Sequence, residues 1–143
     1  MVYPWTGYIS NFRLLNNVGL YSTSFNPNTG PLYNLNGTGA LLCQSAALVD
    51  NSPNRFTVTK TGDTKITTFN PYYQSYTAAP VTSYSTYFDG TGDYLTVSST
   101  ANAAFGFGTG DFTVEGWFYA TADNATDFMV DFRGGVATAP AIF

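Results

Sequence analysis

The chain has no histidine, one cysteine, one glutamate and five cations among its 143 residues. Each scarcity excludes something. Without histidine, and with Cys43 as the lone thiol, the Ser/His and Cys/His relays of nucleophilic catalysis lack their general base. A single cysteine also forbids an internal disulfide, so stability must come from packing or from partner chains. Cys43 follows Ala40-Leu41-Leu42, a setting that predicts a small buried core residue rather than a nucleophile. The cations Arg13, Arg55, Lys60, Lys65 and Arg133 are spread singly in a chain of net charge −4. That leaves no basic stripe for a phosphate backbone, and nucleic-acid binding is not expected. No apolar run approaches the roughly 18 residues of a membrane span, so membrane insertion is not expected either. Met1 to Trp5 shows neither a charged n-region nor an apolar h-region, and no signal peptide is visible. Apolar residues never recur at helical spacing over three turns, which argues against helices.

What the chain does have is aromatic residues (17%), 14 glycines and 7 prolines, with abundant Thr, Ser and Asn. These favour short strands and turns. Two segments alternate with a period of two. Leu95 and Val97 share one face, Tyr94 and Thr96 the other; Phe112, Val114 and Phe118 face away from Thr113, Glu115, Trp117 and Tyr119. Three Thr-Gly-Asp turns (from Thr61, Thr91 and Thr109) each precede an alternating segment, the punctuation of a sandwich. Asp89-Gly90 signals a hairpin with a type I′ turn. The expected fold is all-β, an antiparallel β-sandwich organised around residues 86–120.

Along the chain, Tyr8 to Leu15 is apolar on both faces and predicts a doubly buried strand, followed by a short edge segment from Leu20 to Phe25. Pro27 and Pro31 forbid a central strand between Asn26 and Gly39, which predicts a surface connection and an internal boundary. Ala40 to Gln44 is a short strand and Val49 to Asn54 a turn. Arg55 to Thr59 and Lys65 to Phe69 are expected to pair around Thr61-Gly62-Asp63. Asp127 to Arg133 predicts a strand, and Ala139 to Phe143 a further one with an unpaired edge.

Residues 40–143 resemble the opening portion of laminin G-like, concanavalin A-like jelly-roll domains, especially those repeated in bacteriophage virion proteins. The resemblance is carried by Leu41-Leu42-Cys43-Gln44-Ser45, Val49-Asp50-Asn51-Ser52, Tyr87-Phe88-Asp89-Gly90-Thr91-Gly92-Asp93-Tyr94-Leu95 and Phe107-Gly108-Thr109-Gly110-Asp111-Phe112-Thr113-Val114-Glu115-Gly116-Trp117. Residues 6–25 resemble the closing strand of the same family. The resemblance implies a closing-strand segment at 1–35 and opening strands at 36–143, in one compact sandwich. The order is inverted and the middle strands are missing, so the chain is either a permuted protomer completed by a neighbour or a slice across two tandem repeats. A non-enzymatic fibre or decoration component of a phage virion is the function implied, in a virion or extracellular setting. It would self-associate, or join other virion subunits, through open strand edges, with a glycan as a further partner. The alternative is a carbohydrate-binding, lectin-like module of a larger secreted or surface protein.

Particular residues bear on these readings. A glycosidase needs two carboxylates, and Glu115 has no acidic residue at same-face spacing; Asp111 lies four residues away. Asp89 and Asp93 flank a tight turn. They either favour that turn through side-chain to backbone bonds or contribute to a calcium site, the one cofactor considered. Sugar or protein contact would fall to exposed aromatics, for which the candidates are Trp5, Tyr72, Tyr73, Tyr76, Trp117 and Tyr119. For Trp117, packing within the sheet is the competing reading.

Overall fold

The computed structural model describes residues 5–72, 83–98, 104–122 and 128–132, and the backbone of 141–142. Every regular element among them is a strand: β1 (Thr6–Asn16), β2 (Thr38–Leu42), β3 (Val58–Thr61), β4 (Lys65–Thr67), β5 (Ser85–Asp89), β6 (Tyr94–Val97), β7 (Phe112–Ala120), β8 (Val130–Asp131) and β9 (Ala141–Ile142). All pairings are antiparallel. The fold is the expected all-β, sandwich-like arrangement.

Its centre is β1 rather than the 86–120 stretch. One edge of β1 pairs with β7 along the strand's whole length, from Gly7↔Ala120 to Asn16↔Phe112. The other edge pairs with β5 through Thr6–Ile9 and with β2 through Phe12–Leu15. Residues 6–16 therefore share one sheet with strands from residues 38–42, 85–89 and 112–120. Double-sided burial holds as expected: from Ile9 to Leu15 every residue of β1 is buried. Residues 20–25, expected as an edge strand, form none; their backbone runs irregularly over the surface.

An irregularity in β1 decides which side chains enter the core. Opposite Gly116, β1 places two residues, Asn11 and Phe12, where regular pairing would place one. This bulge uses Asn11 in a left-handed conformation (φ 53°), which Asn tolerates better than most residues. Without it Ile9 and Phe12 would fall on opposite faces. With it, Ile9, Phe12 and Leu14 all join Ala40, Leu42 and Phe88 in the core. Val114 and Phe118 of β7 pack on the same cluster, as do Val58, Leu95 and Val97 of the β3–β6 pair. The Asn11 side chain is fully buried; its amide donates to Ser10 Oγ (2.9 Å) and Ser83 Oγ (3.2 Å), and its carbonyl accepts from Leu32 N–H (2.9 Å). The bulge thus also anchors the long connection between β1 and β2.

Two expected hairpins do not form. β3 pairs with β6, and β4 with β5, so each Thr-Gly-Asp segment at 61–63 and 91–93 carries the chain from one sheet to the other. The Asp89-Gly90 turn is not type I′, since the left-handed residues there are Gly90 and Gly92 and not Asp89. Asp93 is the reason. Its buried carboxylate accepts Asp89 N–H (2.9 Å), capturing a donor that would otherwise serve the β5 ladder, and accepts Asp63 N–H (2.8 Å) with its other oxygen. Gly62 is required here, because a Cβ would collide with Asp93 Oδ1. The expected unpaired edge near the end is paired on one side, Val130↔Ile142 and Asp131↔Ala141.

Asp50, expected as an ordinary turn residue, is a second buried anchor. Oδ1 accepts Leu41 N–H (3.0 Å) and Ser52 N–H (2.9 Å); Oδ2 accepts Ser52 Oγ–H (2.7 Å) and Phe56 N–H (3.0 Å). One carboxylate therefore ties the 50–56 turn to β2. Cys43 follows that strand in a left-handed conformation (φ 58°) and packs against the core, and burial pushes its thiol up to about 11.

Candidate functional site: an aromatic platform on the outer sheet face

The face of the large sheet turned away from the core divides into two halves. Over the β2 end, the connection after β1 covers it, with Leu32 buried and the Tyr33 carbonyl accepting from Arg13 Nη1 (2.6 Å). Over the β5 end the face is aromatic, and among the described residues only Phe69 to Tyr72 lie over it. Register sets Tyr119, Tyr8 and Tyr87 side by side across β7, β1 and β5, with Lys65 of β4 next in line. Ring centroids are 6.2 Å apart for Tyr119–Tyr8 and 4.9 Å for Tyr8–Tyr87. Phe69 sits against Tyr8 (4.6 Å) and edge-on to Tyr119 (5.3 Å). Phe69 is 49% exposed and Tyr119 57%. Beside these rings lies a shallow cavity of about 130 Å³ lined by Ser10, Asn70, Ser85 and Trp117 among others. Aromatic faces with a few polar groups are the composition of a small-molecule or glycan surface.

Of the aromatic residues singled out from the sequence, Tyr119 belongs to this platform and Trp117, partly buried, lines the cavity beside it. Trp5 does not: it packs edge-on to Phe118 (6.4 Å) and against the core. Tyr72 is not an exposed stacking surface either. It is 5% exposed and lies edge-on to Trp117 (6.3 Å), and burial pushes its phenol up to about 12 against the opposing pull of the Trp117 side chain. Tyr73 and Tyr76 lie outside the described residues. Tyr8, Phe69 and Tyr87 were not legible as site residues, since strand pairing brings Tyr8 and Tyr87 beside Tyr119 and Phe69 reaches them from the segment after β4.

The one glutamate is occupied. Glu115 Oε1 accepts Arg13 Nε–H (2.7 Å) and Nη2–H, while Oε2 accepts the Tyr21 hydroxyl (2.6 Å). Arg13 is 1% exposed, and its guanidinium also lies 5.9 Å from the Tyr33 ring centre. Nearness to Glu115, after burial, raises the Tyr21 pKa. Both oxygens of the carboxylate are thus committed to holding the connection onto β1 and β7, and no second carboxylate among the described residues is paired with it.

At the other turn, Asp63 joins Asp89 and Asp93, the carboxylates lying within 4.8 Å of one another. Spacing along the chain did not reveal Asp63, because two crossings from different parts of the sequence bring it there. Asp93 uses both oxygens on backbone N–H groups, Asp89 Oδ1 accepts Thr91 N–H (2.6 Å), and Asp63 pairs with Lys65 (3.3 Å). Calcium takes six to eight oxygen ligands. Here the Asp93 and Asp89 carboxylates serve the turns, and that of Asp63 holds Lys65 at the surface.

No family model, curated protein or solved structure matches this chain.

Proposed function

We propose that the chain is a non-catalytic adhesion or structural module of a phage virion protein, and that its aromatic platform contacts neutral glycans. The virion setting rests on the resemblance of residues 40–143 and 6–25 to laminin G-like domains. The glycan contact rests on one observation: the row Tyr119–Tyr8–Tyr87, half-buried at Tyr8 and Tyr87 and exposed at Tyr119, with exposed Phe69 against it and Ser10, Asn70 and Ser85 beside it. Neutral sugars suit it best, because the cation at the end of the row, Lys65, is paired with Asp63, and Arg13 is held by Glu115. The full engagement of Glu115 supports a module that binds without hydrolysis. A lectin-like module of a larger surface protein would use the same platform.

The test is affinity electrophoresis through gels containing neutral or anionic polysaccharides. Wild type should be retarded by a neutral polymer, and Tyr119→Ala or Phe69→Ala should run freely while melting at the wild-type temperature. Retardation that survives both substitutions would remove the platform from the account.

A further inference from the structure

The strand β7 has a neighbour on one edge only among the described residues. Alternate residues of an antiparallel strand address opposite neighbours. The bond from Thr121 N–H to Thr6 C=O (3.1 Å) sets the phase: odd-numbered residues of β7 address β1. The backbone groups of Phe112, Val114, Gly116, Phe118 and Ala120 therefore point to the far edge. No backbone hydrogen bond reaches them there from the described residues. Edges of this length are ordinarily blunted by lysine, proline or a bulge. β7 contains neither residue, its pairing irregularity lies in β1, and its one charge is tied to Arg13 and Tyr21.

The same segment is complementary to itself in one register. Two antiparallel copies related by a two-fold axis at Gly116 set Val114 against Phe118 of the second copy on the core side. On the platform side they set Thr113 against Tyr119 and Glu115 against Trp117 of the second copy. These are β-branched–aromatic and mixed pairs of the kind that stabilise neighbouring strands, with no like charges opposed. An interface of this symmetry is closed, each copy giving and receiving the same contacts. We propose that β7 is a self-pairing edge, through which two copies of this chain join into one continuous antiparallel sheet. The inference does not depend on what the platform binds.

Light scattering over a concentration series reads the outcome. Wild type should rise from the 15.4 kDa chain toward twice that mass. In that register, Thr113→Lys with Tyr119→Lys opposes lysines twice and should hold the mass at one chain. Thr113→Glu with Tyr119→Lys opposes glutamate and lysine at the same positions and should restore association. Both variants lose the Thr113 hydroxyl's bonds to Leu20 N–H and Val18 C=O, so that loss cancels between them. Amide exchange on the unmodified chain is the independent readout: Val114, Gly116 and Phe118 should become protected as concentration rises. A wild-type monomer at every concentration overturns the proposal. So does equal mass in the two double variants, or association without protection of those three amides.

Discussion

Replacing Glu115 by leucine should destabilise the fold far more than a surface position would. The change removes the carboxylate but keeps most of the side chain's bulk. It leaves the Arg13 guanidinium, 1% exposed, with the Tyr33 carbonyl as its hydrogen-bond acceptor. Breaking one side of a buried pair costs roughly 3–5 kcal/mol. The Glu115 side chain is 16% exposed, so water reaches the pair from one side and the lower end of that range, about 3 kcal/mol, is expected. At roughly 3–4 °C per kcal/mol for a chain of this size, Tm should fall by about 10 °C. Arg13→Met should cost a similar amount. The double variant, with neither charge, should return to within about 1–2 kcal/mol of wild type, because two apolar side chains can fill the site without a desolvation penalty. Urea unfolding of the four proteins, followed by circular dichroism, closes the cycle. Additive single costs, or a Glu115→Leu protein within about 1 kcal/mol of wild type, would refute a buried structural pair. The same outcome would reopen the question of what Glu115 is for.

Asp50→Ala should cost about 3–5 kcal/mol, since it leaves the N–H groups of Leu41, Ser52 and Phe56 without their acceptor; a midpoint shift worth less than about 1 kcal/mol would show that water replaces the carboxylate. Asn11→Ala should be worse than Asn11→Gly by about 1 kcal/mol, because alanine pays for the left-handed backbone and glycine does not. Equal denaturation midpoints for the two would mean that the side-chain bonds alone fix the bulge. Stability should fall as pH rises above 9. The unfolded thiol ionises near its ordinary value of 9.0 and Cys43 in the fold only near 11; the unfolded phenol ionises near 10.0 and Tyr72 in the fold only near 12. In each case the folded state holds its proton longer, so rising pH favours unfolding. Cys43→Ala should move the onset from pH 9 to about 10 in denaturation curves, and an unchanged onset would contradict the burial of the thiol.

The parts legible in the sequence are those with a local cause. The alternation that sends Val114 and Phe118 inward and Thr113, Glu115, Trp117 and Tyr119 outward is a property of strand geometry, and it holds for these residues, whereas Phe112, expected on the inward face, is 46% exposed at the start of β7. The double burial of β1 was visible for the same reason. The hairpins were not, because a Thr-Gly-Asp turn looks alike whether the chain doubles back or crosses to another sheet; a carboxylate 30 residues away, Asp93 reaching Asp63, makes the difference. Nor does the sequence betray the bulge, where one left-handed Asn reverses the facing of half a strand. The platform illustrates the same limit. Tyr119 was a candidate by exposure, whereas Tyr8, Phe69 and Tyr87 become its neighbours only once β1 lies between β5 and β7.

The central place of β1 has a kinetic consequence. Its pairs with β7 join residues about a hundred positions apart, Gly7 with Ala120 and Asn16 with Phe112. Topologies dominated by such distant contacts fold slowly. During synthesis at roughly 5–20 residues per second, β1 emerges on the order of ten seconds before β7 can flank it. For that interval Ile9, Phe12 and Leu14 belong to an apolar strand without its longest neighbour, and the nascent chain is most exposed to aggregation there. Yield in cells should therefore respond to translation rate and chaperone supply more sharply than the folded protein's stability would suggest.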